Sequence, residues 1–76
     1  MLAGRRFVLR TPTLAIENLG GKQQAVTIPA NTTLKVVAES LENQRLVDVV
    51  SDRVLTMFAV DLVERGDEIV ETAARA

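Results

Sequence analysis

Short segments with alternating hydrophobic and polar positions run through most of the chain. Alternation with a period of two is typical of a strand that buries one face. Turn-forming residues separate the segments at Thr11-Pro12, Asn18–Lys22 and Pro29–Thr32. About five main strands at this short spacing predict a small barrel or sandwich. The segments are Phe7–Arg10, Leu14–Asn18, Gln24–Ile28, Leu34–Glu39 and Arg45–Ser51, followed by a closing stretch that begins at Arg53.

The closing stretch predicts a strand, one helical turn and a short last strand. Val54–Val60 is β-branched, apolar and aromatic, as strands prefer. Asp61 and Glu64 have the spacing of a capping box, and Gly66 can take the left-handed conformation that ends a helix. Only about one turn, of 3-10 type, fits between these signals. A single amphipathic helix over residues 54–65 is the alternative, because the apolar residues there also fit a period of 3.6.

The alternation also predicts which side chains form the core. In the closing stretch, Leu55 and Met57 point inward, and the alternative places Val54 and Phe58 there instead. The last strand is Ile69-Val70. The predicted inward residues are Phe7, Leu9, Leu14, Ile16, Val26, Ile28, Leu34, Val36, Val47, Val49, Leu55, Met57, Leu62 and Ile69.

Composition limits the possible chemistry and location. The chain of 76 residues predicts a single domain over 1–76, with 71–76 as a frayed tail. It contains no cysteine and no histidine, so it has no disulfide, no thiolate and no imidazole base. The formal net charge of −1 gives no bulk attraction to nucleic acid or an anionic membrane. No signal peptide and no apolar run near the ~20 residues of a membrane span is found, so we expect a cytoplasmic, bacterial-type protein.

The segments VTIPANTTLKVV (Val26–Val37) and MFAVDLVERG (Met57–Gly66) resemble small uncharacterised bacterial SH3-like β-barrel proteins. The resemblance implies an all-β fold, a small SH3-like barrel of about five strands with one 3-10 turn before the last strand. It implies no activity. The aromatic ligand groove of true SH3 domains cannot be built here, because the chain has two Phe and neither Trp nor Tyr.

Leu55–Gly66 also resembles the end of the type II dihydrofolate reductases, SH3-like proteins that work as tetramers around a central pore. In that family a Val-Gln-Ile-Tyr motif precedes a Glu-Arg pair. Thr56 here lacks the Gln amide and Phe58 lacks the Tyr hydroxyl, so the groups that would contact folate and nicotinamide are absent.

A third resemblance is to the swapped-hairpin transition regulators and antitoxins, which bind DNA. Val26-Thr27-Ile28-Pro29 matches their Val-Thr-Ile-Pro segment. In that family a helix follows the proline, whereas Asn31–Val37 here favours a strand.

Charged residues offer two candidate clusters. Close carboxylates can bind Ca²⁺ or share a proton, but the late acids also suit helix capping and a solvated surface. The only basic cluster is Arg5, Arg6 and Arg10, which touches phosphate, forms a solvated surface or pairs with those acids. The late acids are Asp61, Glu64, Asp67, Glu68 and Glu71.

No catalytic, cofactor-binding or metal-binding residue is predicted. Ser40 and Ser51 have no histidine to act as their base, and neither lysine lies in a reactive-looking segment. We therefore identify no small-molecule substrate, and we expect no cofactor and no membrane contact. Nucleic acid, if bound at all, is expected to bind weakly and without sequence preference.

An apolar outward face is the one positive functional signal. With Leu55 and Met57 inward, alternation turns their neighbours outward on three sequential strands. Monomers rarely expose large contiguous apolar patches. The sequence therefore predicts a non-enzymatic interaction module that forms a homo-oligomer or contacts another protein. A DNA-binding regulator of the swapped-hairpin type is the second hypothesis and an enzyme the third. The candidate interface is Val37, Leu46, Val50, Val54 and Phe58.

Overall fold

The computed structural model describes residues 2–40 and 45–70, which form one antiparallel sheet and one short helix. The predicted all-β class is confirmed. Across the sheet the strands lie in the order β3-β2-β6-β5-β4-β1-β7. In chain order the elements are β1 (Arg6–Leu9), β2 (Thr13–Leu19), β3 (Lys22–Ile28), β4 (Thr33–Glu39), β5 (Leu46–Val50), β6 (Val54–Phe58), α1 (Ala59–Arg65) and β7 (Gly66–Ile69).

The prediction of about five strands in a closed barrel is wrong, because the described residues form seven strands in an open sheet. The turn at Pro29–Thr32, with Asn31 at a φ of 69°, leads from β3 to β4 without pairing them. β3 therefore keeps one neighbour and lies at an edge. At the other edge β7 pairs with β1 from Gly66 to Ile69, a longer strand than the predicted Ile69-Val70. The SH3-like assignment stays a prediction.

The helical turn in the closing stretch is an α-helix rather than the predicted 3-10 turn. It begins at Ala59, and Phe58 holds the N-cap position without a side-chain hydrogen bond, so the capping-box prediction for Asp61 and Glu64 is wrong. Asp61 instead lies in the first turn, where a carboxylate interacts favourably with the helix dipole. The alternative of one helix over residues 54–65 is also wrong, since its first half is the strand β6.

Gly66 ends the helix for a reason that the sequence prediction missed. Its φ of −119° is extended, not left-handed. An added Cβ would lie 2.8 Å from the backbone oxygen of Leu62 and 3.4 Å from that of Val8. Glycine is therefore required by the close approach of the Leu62 carbonyl oxygen, rather than by a backbone conformation that other residues avoid.

The core lies on one face of the sheet and includes Leu62, the one buried residue of α1. Most of the predicted inward set is confirmed, and Ile16, Val26 and Ile69 are partly buried. The buried members of that set are Phe7, Leu9, Ile28, Leu34, Val36, Val47, Val49, Leu55, Met57 and Leu62.

The orientation predicted for β2 is wrong. Leu14 is 58% exposed, whereas its neighbours Thr13, Ala15 and Glu17 are buried. The polar pair has partners that make burial possible: the Thr13 hydroxyl donates to the carbonyl of Thr11, and the Glu17 carboxylate lies 3.4 Å from Arg53 Nε.

Two predictions of unstructured segments concern residues outside the described part of the chain: the frayed tail at 71–76, and residues 41–44 of the polar loop at 40–44. The strand predicted after Pro29 is confirmed as β4, where the swapped-hairpin family would have a helix.

Candidate interaction face

The outer side of the sheet, away from the core, carries a group of apolar side chains on β2, β6, β5 and β4. Four of them are exposed by about half, with Phe58 at 46%, Val37 at 47%, Leu14 at 58% and Val54 at 59%. The other three are half-buried. We call this group the apolar face, and its members are Leu14, Ile16, Val37, Leu46, Val50, Val54 and Phe58.

All five residues of the predicted interface lie on this face. Leu55 and Met57 are buried, so alternation along β6 turns Val54 and Phe58 to the outer side. The alternative that places Val54 and Phe58 in the core is therefore wrong.

Strand register brings these side chains together in rows. Leu46 lies opposite Phe58, and Val50 lies opposite Val54, across the β5–β6 pair. On the other side of β6, Ile16 lies opposite Thr56. Leu14, Ile16, Leu46 and Phe58 border one shallow depression. Cross-strand neighbours of this kind form a single surface rather than isolated exposed residues.

The sequence prediction missed Leu14 and Ile16, which it assigned to the core. The alternation in β2 shows that they share a face but leaves open which face it is. The available signal is the neighbouring strand. If Leu14 and Ile16 point outward, they lie beside the outward residues of β6.

A carboxylate lies within the apolar face. Asp48 is half-buried, and its Oδ1 accepts a hydrogen bond of 2.8 Å from the Thr56 hydroxyl on the neighbouring strand. The two residues lie opposite each other and in the same row as Ile16. This hydrogen bond lowers the cost of covering Asp48, although its charge still needs a cation if water is excluded.

A β-bulge shapes the far side of the face. The β4–β5 register shifts between Val36 and Ala38, and Val37 and Ala38 are both exposed. The extra residue lets β4 present two consecutive small apolar side chains to solvent. Lys35 precedes them, opposite Val50, so a cation borders the face on this strand.

Two members of the basic cluster, Arg5 and Arg10, pair with late acids, which is one of the alternatives left open by the sequence. Arg10 donates to Asp67 Oδ1 and to the carbonyl oxygens of Glu64 and Gly66, which holds the end of α1 against the strand β1. Arg5 Nε lies 3.5 Å from Glu68 Oε2. These contacts are structural and join the two ends of the described chain.

The remaining acids do not form a metal site. Asp61 pairs with Arg65 one helical turn later, at 3.8 Å. In residues 2–40 and 45–70, no three acidic, histidine or cysteine side chains come close enough to share a metal ion. Glu71, the last of the predicted acids, is outside the described residues.

A cleft of about 350 Å³ with a mixed polar and apolar lining opens between the β3–β4 turn and the β5–β6 turn. Pro29, Thr32, Ser51 and Arg53 are among its lining residues, and Arg53 is engaged with Glu17. Three hydroxyls, of Thr27, Thr32 and Ser51, line the cleft, and that of Thr32 donates to the carbonyl of Pro29 at 2.8 Å.

No helix in the described part of the chain has the length and apolar character to traverse a bilayer. Comparison with known proteins gives no match to this chain among family models, curated proteins or solved structures.

Proposed function

We propose that this chain is a non-enzymatic interaction module that associates with further copies of itself through the apolar face. The observation that carries the proposal is the concentration of seven apolar side chains on one side of a small sheet. A monomer rarely leaves such a group uncovered. Phe58 is the anchor, because a large aromatic side chain removes the most apolar area from water when covered.

Covering the apolar face with a second copy is energetically favourable. A chain of this length buries only about 60% of its unfolded surface, so its own stability is small. Covering several apolar side chains contributes several kcal/mol at ~25 cal/mol per Å², from which the cost of association is subtracted. Self-association thus supplies the apolar burial that one copy is too small to provide.

A second copy is a suitable occupant on electrostatic grounds. The net charge of −1 produces little repulsion between copies. The face carries an anion at Asp48 and is bordered by a cation at Lys35, so two copies can meet with opposite charges in contact. Lys35 makes no ion pair within the described residues.

The SH3-like family expectation belongs to the same proposal. The described part of the chain ends with the strand β6, the short helix α1 and the short strand β7, and this order supports a relationship to small SH3-like barrels. The sheet differs from theirs in being open rather than closed. The absence of histidine, cysteine and tyrosine from the sequence supports a role without catalysis.

The test is the mass in solution of the Phe58→Asp variant, measured by light scattering or sedimentation equilibrium. Phe58 is about half exposed, so the variant should fold, and a charge on the face should abolish the contact and halve the mass. Leu19→Asp is the matched control, since Leu19 is 57% exposed but alternates to the other side of β2. A monomeric wild type, or a Phe58→Asp protein of unchanged mass, would refute the proposal.

A further inference from the structure

The strand β3 forms one edge of the sheet, and it is long and regular. Seven consecutive residue pairs join it to β2 without a bulge, from Leu19–Lys22 at the turn to Thr13–Ile28 at the far end. Gly20 and Gly21 make the turn with φ values of 59° and 84°, the pattern of a two-residue type I′ hairpin. The half of β3 nearest the turn, Lys22–Ala25, is exposed.

The turn type determines which backbone groups are free. The Leu19 carbonyl and the Lys22 N–H are the first and last groups of the turn and bond to each other. In an antiparallel pair, residues then alternate between facing the partner strand and facing away. Lys22, Gln24, Val26 and Ile28 therefore bond to β2. The N–H and C=O groups of Gln23, Ala25 and Thr27 point away from the sheet.

Nothing in the described residues protects this edge. No backbone hydrogen bond from a turn or loop there reaches Gln23, Ala25 or Thr27. Natural proteins shield sheet edges with charges, prolines, bulges or short strands. The opposite edge, β7, follows this rule, because it has four residues and two of them are Asp67 and Glu68. From Gln23 to Ile28, by contrast, β3 has neither a charge nor a proline.

We propose that β3 pairs in antiparallel fashion with β3 of a second copy, across a two-fold axis at Ala25. In this register Ala25 faces Ala25 of the second copy, and Gln23 faces Thr27 in both directions. Every outward N–H and C=O group of the edge then obtains a partner. The only charge on the strand, at Lys22, faces the apolar Ile28, so no like charges meet.

This contact uses the backbone edge of β3 rather than the apolar face, although the Ala25 side chain lies on the same side of the sheet, opposite Ile16. The two-fold axis of an edge-to-edge pair is perpendicular to the sheet, so the apolar faces of both copies lie on the same side of the joined sheet. Two such pairs can then stack face to face. The complete assembly contains four chains, each with one edge contact and one face contact.

The experiment uses the self-facing position in the Phe58→Asp background, where the apolar face does not contribute. Phe58→Asp alone should be a dimer by sedimentation equilibrium. Adding Ala25→Lys or Ala25→Glu places like charges opposite each other, and both double variants should be monomers. An equimolar mixture of the two should be a dimer again. Asn18→Lys, the control, adds the same charge to β2 and should leave the dimer intact.

Each outcome decides a different point. If the wild type is a dimer and Phe58→Asp a monomer, the edge pairing is wrong and the face contact stands. If Phe58→Asp has the wild-type dimer mass and the charge variants behave as expected, the edge pairing stands and the face contact is wrong. A dimer that survives both Ala25 substitutions overturns the edge pairing. Should Phe58→Asp fail to fold by circular dichroism, the Ala25 variants are made in the wild-type background. There they should take four chains to two and their mixture should restore four, whereas Asn18→Lys, on the same side of the sheet, should leave four. An unchanged mass for the Ala25 variants, or the same loss with Asn18→Lys, also overturns the pairing.

Discussion

Truncation of Leu62 to alanine should detach the helix α1 from the sheet. Leu62 has no exposed surface and is the only buried residue of the helix, which otherwise presents exposed side chains such as Val60 and Val63. Because α1 has seven residues, its isolated helix is unstable, and its attachment depends on packing. The side chain of Leu62 supplies that packing by joining the main hydrophobic core.

The expected loss follows from the burial. Leucine-to-alanine changes at fully buried sites cost 2–5 kcal/mol, and we expect about 3 kcal/mol here. A domain of this size has a total stability of roughly 4–11 kcal/mol at ~0.05–0.15 kcal/mol per residue. A loss of about 3 kcal/mol should lower Tm by roughly 12–24 °C, at ~4–8 °C per kcal/mol for a domain of this length.

Urea denaturation at a fixed protein concentration measures the effect, because association makes stability depend on concentration. Val63→Ala is the matched control, since Val63 is the next residue of the helix but is 53% exposed. Its stability should change by no more than about 0.5 kcal/mol. Equal losses in the two variants, or a loss below about 1 kcal/mol for Leu62→Ala, would show that α1 is not held by this side chain.

Two further changes test other parts of the fold. Gly66→Ala should cost about 1–3 kcal/mol, because its Cβ would meet the backbone oxygen of Leu62 and backbone cannot be displaced cheaply; an alanine variant with wild-type stability in urea would contradict this. The backbone N–H groups of Leu2 and Ala3 donate to Glu39 and lower the pKa of its carboxyl below 4.5. A lowered folded-state pKa stabilises the protein above the unfolded value, and this contribution is lost as pH falls through the folded one. Wild-type Tm should therefore fall more steeply below pH 4.5 than that of Glu39→Gln, and parallel curves would exclude the contribution.

Much of the sheet could be predicted from the sequence, because hydrophobic and polar residues alternate clearly along strands that bury one face. The residues of β4, β5 and β6 show why: Val36, Val49 and Leu55 alternate with more polar or less buried neighbours, and each is buried as expected. The turn at Gly20-Gly21 and the positive φ of Asn31 also follow directly from residue type.

The errors occur where hydrophobicity alone does not determine orientation. In β2, Leu14 and Ile16 are more apolar than Thr13, Ala15 and Glu17, yet the second set is buried. The hydrophobicity of a side chain favours its removal from water, but it does not determine which side of the sheet packs against the core. The burial of Glu17 depends on its ion pair with Arg53, which is remote in sequence, and no local sequence pattern predicts that ion pair.

The open sheet depends on long-range geometry too, because β1 pairs with β4 and β7, which lie far along the chain. Gly66 is needed because the carbonyl oxygen of Leu62 lies too close to leave room for a Cβ, a contact that residue type alone does not reveal. The apolar face was predicted in part, since alternation on β5 and β6 was read in the right phase. The members of the face on β2 were missed because alternation in that strand does not determine which of its two faces is buried.

The position of β1 in the sheet has a consequence for how the chain is made. Its two neighbours, β4 and β7, both come much later in the sequence, whereas the β2–β3 hairpin and the β4–β5–β6 meander are local. Non-local pairings close large loops and form slowly. On the ribosome, β1 emerges before either neighbour and waits for β7 over roughly 3–12 seconds, at ~5–20 residues per second. Throughout that interval Phe7 and Leu9 lack their final cover, so β1 exposes the nascent chain to chaperone capture and aggregation.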